Sequence, residues 1–229
     1  MIFAILLAGG SGTRVKGYPL PKQFIEIAGR PLLEWTLLPF LNDADIDEIV
    51  IVSHQNFLDK VFNISANHDQ KPLHVVTGGS SRQASVFEAL KFLSNRASGD
   101  DTIIIHDGAR VMIDGTIITS GLRKFTGNIG LTALVSSPDT LMEIDANDKL
   151  VKVVDRTHIG VIQTPQIFRF QTIYQAHQQN VGLEATDDIS LLLGQIEIHY
   201  FLGSRLNFKV TTEDDVLIVK SLLEKEASP

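Results

Sequence analysis

Two periodicities alternate along most of the chain. Short apolar runs typical of buried strands occur at 2–8, 47–53, 73–78, 101–110 and 129–137. Apolar residues at helical spacing mark the segments 31–43, 81–93 and 212–225. Strands buried on both faces and separated by helices are typical of parallel sheets. The pattern predicts an α/β fold with a mostly parallel sheet and helices on both faces.

The period changes to two at residues 138–156, around the turn-forming sequence "DANDK". We therefore predict a β-hairpin arm over 138–157 that projects from the sheet. A two-stranded hairpin is marginal alone in water, so its apolar residues need a partner surface, such as a second subunit. These residues are Leu141, Ile144, Leu150, Val151 and Val153.

The remainder of the chain completes one predicted domain. The runs 196–203 and 206–210 predict a pair of strands before the last helix. The sequence contains no repeat, low-complexity tract or linker. We expect a single domain over 1–229, with the arm inside it.

Composition excludes several classes of protein. The 229 residues carry 20 Lys and Arg against 27 Asp and Glu, a net charge of −7. That balance argues against a nucleic-acid or membrane-surface protein, which needs a positive face. The absence of cysteine excludes disulfides, thiolate zinc sites and a cysteine nucleophile, and it fits a cytoplasmic protein. The opening run "MIFAILLA" is too short to span a bilayer and lacks a basic start, so it indicates a strand.

A glycine-rich loop follows the first predicted strand. Gly9, Gly10 and Gly12 allow backbone N–H groups to approach a phosphate. A Walker loop is excluded because no Lys-Ser or Lys-Thr follows, and the dinucleotide fingerprint fails because Val15 occupies the third glycine position. A glycine turn without a ligand remains the alternative.

Two cations close to this loop favour a phosphate ligand. Arg14 and Lys22 flank the glycines, and Pro19 and Pro21 restrict the backbone beside Lys22. Positioned cations suit a polyphosphate whose negative charge grows during a reaction. The loop is therefore expected to hold a triphosphate.

Motifs spread over the chain resemble one enzyme family. The sequences "LLAGGSGTR…PKQF", "HDGAR", "DT…DR", "QTPQIF", "TDD" and "NFKVTTEDD" occur in the order found in the 2-C-methyl-D-erythritol 4-phosphate cytidylyltransferases, from about residue 3 to about residue 220. The sister family of ribitol 5-phosphate cytidylyltransferases shares "PLPKQF" and "QTPQ".

The resemblance implies a Rossmann-like nucleotidyltransferase fold and a cytoplasmic homodimer with exchanged arms. It also implies Mg²⁺ and transfer of a cytidylyl group from CTP to methylerythritol phosphate, with release of pyrophosphate, in isoprenoid precursor synthesis. The alternative acceptor is ribitol 5-phosphate, or another polyol or sugar phosphate, in cell-wall polymer synthesis. A non-catalytic nucleotide-binding module and a dinucleotide-dependent oxidoreductase are the rivals from other classes.

The resemblance also assigns roles to individual residues. The catalytic cations would be Arg14, Lys22 and Lys209. The nucleotide would contact Leu7, Ala8, Gly9, Gly10, Gly12, Gly79, Ser80, Ser85 and Gly108. The acceptor would contact Arg110, Thr140, Arg156 and Thr164. The metal would bind Asp107.

Several of these positions have structural alternatives. Asp107, at the end of a predicted strand, suits Mg²⁺ beside phosphates, but an Asp here can also cap a turn. Lys209 could be a solvated edge residue, and Ser81 is an expected helix N-cap. His106 is expected to be structural, and the other histidines show no metal-ligand spacing. Val111 departs from the family, which usually has Pro there.

Overall fold

The computed structural model describes residues 1–10, 18–183 and 185–226. The strands are β1 (Ile2–Ala8), β2 (Glu26–Ile27), β3 (Arg30–Pro31), β4 (Glu48–Ser53), β5 (Leu73–Thr77), β6 (Thr102–Asp107), β7 (Gly130–Ser136), β8 (Leu141–Ile144), β9 (Leu150–Val154), β10 (Gly160–Arg169) and β11 (Ile198–Leu202). The helices are α1 (Leu32–Asn42), α2 (Leu58–Ser65), α3 (Arg82–Leu93), α4 (Gly115–Lys124), α5 (Phe170–Gln179) and α6 (Glu213–Glu226).

Seven strands form the central sheet, in the order β11-β7-β10-β6-β1-β4-β5. β1 lies parallel to both β4 and β6, and the β4–β5 and β11–β7 pairs are also parallel. Only β10 runs antiparallel to its neighbours in this sheet, β6 and β7. The prediction of a mostly parallel sheet is confirmed.

The sheet is buried on both faces, as its apolar runs predict. Along β1, Ala4 and Leu6 face a core cluster that includes residues of α1, α2 and α4. Phe3 and Ile5 face the opposite cluster, with residues of α3 and α5. Full burial of one such side chain contributes about 1.5–3 kcal/mol to the free energy of folding. The alternation along each strand therefore determines which side chains pack against the helices on each face of the sheet. A smaller third cluster lies under α6.

The three predicted helices are present, and their ends have identifiable causes. Ser81 is the N-cap of α3, and its hydroxyl accepts from the Ala84 N–H at 3.0 Å, as expected. Pro31 precedes α1 at the N-cap rather than occupying its first helical position. No helix in the described part of the chain has the length and apolar character needed to cross a bilayer.

The predicted strand pair at 196–203 and 206–210 is wrong. The first run forms β11, which pairs in parallel with β7 instead of with its successor. The second run is not a strand, because Val210 turns into the core under α6 and its N–H donates to the Ala109 carbonyl at 2.8 Å. This path carries Lys209 to the carboxyl end of β6.

The predicted hairpin is present as β8 and β9, which form a two-stranded sheet separate from the central one. Its cross-strand pairs include Met142–Val153 and Ile144–Leu150. Ile144, Leu150 and Val153 are each 60% exposed in the single chain. The hairpin therefore presents an apolar surface that the rest of the chain leaves uncovered.

Candidate active site

A cavity of about 700 Å³ opens where β1, β4, β5 and β6 end. The chain order reverses here, because β4 and β5 lie on one side of β1 and β6 on the other. Such a switch point, at the carboxyl ends of parallel strands, is where α/β sheets bind ligands. The cavity is lined by 7–10, Lys22, Gln23, His54, Gln55, 77–82, Ser85, 107–109 and Lys209.

Most of the predicted nucleotide-site residues lie together around this cavity. They are Leu7, Ala8, Gly9, Gly10, Gly79, Ser80, Ser85 and Gly108, joined by the predicted catalytic Lys22 and Lys209 and the predicted metal ligand Asp107. Gly12 and Arg14 lie outside the described residues. The segments that carry these residues are far apart in sequence: 7–10, Lys22, 79–85, 107–108 and Lys209. The fold brings them together at the carboxyl ends of the parallel strands.

Gln23 holds the start of the glycine loop in place. Its side-chain amide donates to the carbonyl oxygens of Ala8 at 2.8 Å and Gly10 at 2.9 Å. The adjacent Lys22 donates to the Val210 carbonyl oxygen from the cavity wall. The "PKQ" sequence thus ties the glycine loop to the segment that carries Lys209. The sequence motif "PKQ" did not predict that Gln23 positions the backbone of the glycine loop.

Close backbone approach requires glycine at two positions of the cavity wall. A β-carbon on Gly108 would lie 2.9 Å from the Leu7 carbonyl oxygen. A β-carbon on Gly79 would lie 2.5 Å from the Ala84 β-carbon, in the first turn of α3. These contacts bring α3 and the ends of β1 and β6 against the cavity.

We expect Gly79→Ala to lower the free energy of unfolding by about 1–3 kcal/mol, the usual cost of overpacking. Urea unfolding would measure this loss. Gly115→Ala is the matched control, because the first position of α4 has nothing within 4 Å of the added carbon. Equal stability of the two variants would show that the close approach at Gly79 is relaxed at no cost.

Three cations surround the buried Asp107 carboxylate. Lys209 Nζ lies 2.8 Å from Oδ2, Arg82 Nε lies 3.0 Å from Oδ1, and Arg110 Nε lies 3.8 Å from Oδ2. Burial alone would raise the pKa of the Asp107 carboxyl. The charges of Arg82 and Lys209 outweigh burial and hold this pKa well below its usual range. Asp107 is therefore an anion at neutral pH, which excludes a role as general acid there.

Thr164 and His106 fix the strand end that carries Asp107. The Thr164 hydroxyl accepts from the Asp107 N–H at 3.0 Å and lies 3.0 Å from His106 Nδ1. Thr164 is 3% exposed and does not line the cavity. In this structure Thr164 therefore contacts β6 instead of presenting a free hydroxyl to an acceptor. His106 is fully buried and hydrogen-bonded, as the structural role predicted for it requires.

The buried His106 gives a pH-dependent stability. Burial lowers its pKa from 6.5 to about 4, so between these values the unfolded chain binds a proton that the folded chain does not. This contribution is complete above pH 6.5 and is lost as the pH falls toward 4. From pH 7 to pH 5 it should lower the free energy of unfolding by about 2 kcal/mol. Urea unfolding at both pH values should show a smaller difference for His106→Gln than for the wild type, and equal differences would contradict this assignment.

The other predicted acceptor residues lie away from the cavity lining. Arg110 is half-buried, and its Nη1 donates to the Asn207 carbonyl oxygen at 2.9 Å. Thr140 and Arg156 are exposed at the base of the hairpin, where Arg156 donates to the Pro138 carbonyl. One chain therefore brings together the predicted nucleotide site but leaves these two hairpin residues outside it.

Val111 faces the interior. It is 3% exposed and belongs to the small core cluster under α6, with Val210 and Val216. The departure from the family's usual Pro therefore changes a core contact and not the cavity wall.

The donor set suits a metal only in combination with phosphates. Residues 1–10, 18–183 and 185–226 contain no cluster of three or more His, Asp or Glu side chains that could bind a metal. Mg²⁺ usually binds through one or two carboxylates together with phosphate oxygens and water. The ionised Asp107 on the cavity wall fits that pattern.

Comparison with known proteins agrees with this geometry. The model of the family described as IspD, 2-C-methyl-D-erythritol 4-phosphate cytidylyltransferase, matches residues 2–225. A protein of that name from Clostridium acetobutylicum is 35% identical over 233 residues, with 98% of each chain covered. Another from Clostridium tetani is 32% identical over 227 residues, which are 97% of this chain and 90% of that one.

Solved structures give the same result. The crystal structure of 4-diphosphocytidyl-2C-methyl-D-erythritol synthase from Anaerococcus prevotii has a TM-score of 0.85 to this chain, with 27% identity and 98% of both chains covered. That of the cytidylyltransferase from Thermus thermophilus has a TM-score of 0.74 at 26% identity. The fold, the cavity and the full-length match together establish that the chain belongs to the 2-C-methyl-D-erythritol 4-phosphate cytidylyltransferase family.

Proposed function

We propose that this chain transfers a cytidylyl group from CTP to 2-C-methyl-D-erythritol 4-phosphate and releases pyrophosphate. One observation carries the proposal: a glycine-lined cavity at the switch point of the sheet gathers Lys22, Lys209 and an ionised Asp107. A triphosphate is the ligand that backbone N–H groups and cations suit together. The identity of the acceptor and of the nucleobase, cytosine, comes from the names of the family and of the relatives.

The chemistry needs no serine or cysteine nucleophile. A phosphomonoester has a second pKa of about 6, so the acceptor is largely a dianion at neutral pH. Its oxygen attacks the α-phosphorus of CTP in line, a P–O bond forms, and the bond to the pyrophosphate leaving group breaks. The protein contributes orientation and positive charge, as in other phosphoryl transfers. Arg14, Lys22 and Lys209 are the cations we assign to the α-phosphate.

Lys209 is suited to change partners during this reaction. Its side chain is 36% exposed and pairs with Asp107 Oδ2 at 2.8 Å. A lysine ammonium is a compact charge on a flexible stem, so it can move from the carboxylate to the incoming α-phosphate. Asp107 Oδ2 would then be available to Mg²⁺, which supplies positive charge to the phosphate oxygens when bound.

The hairpin is the part of the chain that we assign to dimerisation. Its apolar pairs are the half-buried Met142 with the exposed Val153, and the exposed Ile144 with the exposed Leu150; they form a surface that a second copy can cover. An isologous contact of this kind is the commonest route to a homodimer. We propose that the arm places Thr140 and Arg156 at the partner's cavity, where they bind the acceptor with Arg110. We also propose that the dimer is cytoplasmic. A chain without cysteine forms no disulfide and so needs no oxidising compartment, which is compatible with the cytoplasm.

A screen for pyrophosphate release tests the proposed function. Each of the four nucleoside triphosphates is combined with Mg²⁺ and with methylerythritol 4-phosphate, ribitol 5-phosphate or a sugar phosphate. Release is expected with CTP and methylerythritol 4-phosphate. Turnover with ribitol 5-phosphate alone would assign the sister activity, and CTP binding without turnover of any pair would indicate a binding module.

A further inference from the structure

A row of four side chains leads from the cavity into the interior. Arg82 Nε donates to Asp107 Oδ1 at 3.0 Å. Arg82 Nη1 lies 2.8 Å from Asp188 Oδ2, and His177 Nε2 lies 3.0 Å from Asp188 Oδ1. Arg82 and Asp107 line the cavity, whereas the Asp188 and His177 side chains are 1% and 0% exposed. The row thus joins the predicted metal ligand to α5, on one face of the sheet.

Asp188 is an ionised carboxylate in the interior. Burial alone would raise its pKa, but Arg82 and His177 outweigh burial and hold this pKa below the usual range. Buried ion pairs are weak sources of stability, because well-packed apolar residues of similar volume often serve as well. Stability alone therefore does not explain why this pair lies directly behind the cavity.

Asp188 is itself held firmly. The side-chain oxygen of the fully buried Gln166 accepts from the N–H groups of Asp188 at 3.0 Å and Ile189 at 3.2 Å. The His177 ring packs almost parallel to that of Phe87, at 6.1 Å between centroids. Backbone and side chain of Asp188 are thus both fixed before any ligand arrives.

Two of the cations that contact Asp107, Lys209 and Arg82, consequently differ in their freedom to move. The Lys209 side chain is 36% exposed and pairs with one carboxylate, so its ammonium can move to another partner. The planar guanidinium of Arg82 pairs with two carboxylates, those of Asp107 and Asp188, and is therefore less free to move. Arg82 can therefore keep Asp107 Oδ1 in place while Oδ2 changes its partner. Its orientation depends on Asp188 at the far end.

We propose that Asp188, braced by His177, is a positioning residue that acts through Arg82 to fix the Asp107 carboxylate for the metal and the triphosphate. This inference rests on the proposed function, because it assigns Asp107 to a metal held together with CTP.

Mn²⁺ provides a probe other than turnover. Electron paramagnetic resonance would measure Mn²⁺ binding to the full-length protein with CTP and without an acceptor. Asp188→Asn and His177→Phe should weaken Mn²⁺ binding by about 10- to 100-fold, the usual effect of removing a partner that orients a metal ligand. CTP binding in the presence of EDTA should change far less. His177→Phe retains the ring against Phe87 and serves as the second variant if Asp188→Asn fails to fold.

A double-mutant cycle separates positioning from a general structural effect. Arg82→Lys keeps the charge but cannot hold both carboxylates. If Asp188 acts through Arg82, Asp188→Asn should have little further effect on Mn²⁺ affinity in the Arg82→Lys background. Fully additive effects of the two substitutions would overturn the proposal.

The chain offers a matched control triad on the opposite edge of the sheet. Glu48, the first residue of β4, lies 2.9 Å from His74 Nε2 and 3.4 Å from Arg96 Nη2. Glu48→Gln removes the same kind of charge and should leave Mn²⁺ affinity unchanged. Equal weakening by Glu48→Gln would attribute the effect to stability and overturn the proposal.

A failure of the positioning role and a failure of the proposed function give different results. Wild-type binding of Mn²⁺ with CTP, together with unchanged binding in both the Asp188→Asn and His177→Phe variants, would refute the positioning role and leave the proposed function intact. No Mn²⁺ binding by the wild type would overturn both the positioning role and the assignment of Asp107 to a metal.

Discussion

Lys22→Ala should lower kcat by about 10²-fold or more, the scale seen when one donor to the transition state is removed. Lys22 lies on the cavity wall beside the glycine loop, and its ammonium donates to the Val210 carbonyl next to Lys209. CTP affinity should fall far less, because the additional negative charge on the α-phosphate oxygens develops only as the acceptor oxygen attacks. The same change at Arg14 should act in the same direction. Steady-state kinetics and CTP titration would separate the two effects.

Lys71→Ala is a matched control for this substitution. Lys71 is also half-buried and also donates to backbone carbonyls, including that of Ile46 at 2.6 Å, but it lies just before β5 and away from the cavity. Its removal should leave kcat unchanged. A Lys22→Ala enzyme that loses CTP affinity and keeps its kcat would make Lys22 a ground-state binder.

Two inactive proteins should regain activity when they are combined. The Lys22→Ala and Arg156→Ala homodimers are each expected to be almost inactive, since Arg156 is proposed to complete the partner's site. In a mixed dimer, the subunit with intact Lys22 receives an intact Arg156 from its partner. Random reassociation after unfolding makes half of the dimers mixed, each with one working site, so about a quarter of the wild-type rate should return.

The control for this experiment combines two residues of one cavity. Lys22 and Lys209 both line the cavity of the same chain, so mixing Lys22→Ala with Lys209→Ala should restore nothing. Mass spectrometry would verify that mixed dimers form in both cases. Mixed dimers of Lys22→Ala and Arg156→Ala that stay as inactive as their parents would place Arg156 in its own subunit and refute the exchanged arm.

The sequence predicts correctly those elements that a run of neighbouring residues is enough to specify. β1, β4 and β6 are continuous apolar runs, and each was predicted within two or three residues of its ends. The N-cap residue Ser81 is likewise predictable from its neighbours in sequence. These features depend on strand burial and capping, which act over a few positions.

Other elements lacked such a signal. β10 has buried polar residues at its centre, including Gln163, Thr164 and Gln166, which interrupt its apolar run. α4 contains Gly115 and Gly121 and has low helix propensity, but its N-cap Asp114 accepts from two backbone N–H groups and its apolar face is buried. In both elements tertiary contacts override the local preference.

The ion pairs of the site could not be predicted from the sequence, because they form between residues that only the fold brings together. Arg82 and Asp188 are distant in sequence and no spacing rule connects them, although Asp188 belongs to the motif "TDD". Their pairing arises because α3 and the segment after α5 pack on the same face of the sheet. The attachment of Lys209 to Asp107 was likewise hidden, since the predicted edge strand at 206–210 is a turn into the core.

Phosphorus NMR of a single reaction tests the central claim most directly. The wild-type protein, Mg²⁺, CTP and 2-C-methyl-D-erythritol 4-phosphate are combined, and the phosphorus resonances are followed over time, with Lys22→Ala in parallel. We expect the CTP and phosphomonoester signals to decline together as those of pyrophosphate and a cytidine diphosphate ester appear, at a far lower rate in the variant. A wild-type spectrum that stays unchanged while CTP is shown to be bound, or a diphosphate ester that forms with ribitol 5-phosphate alone, would contradict the account.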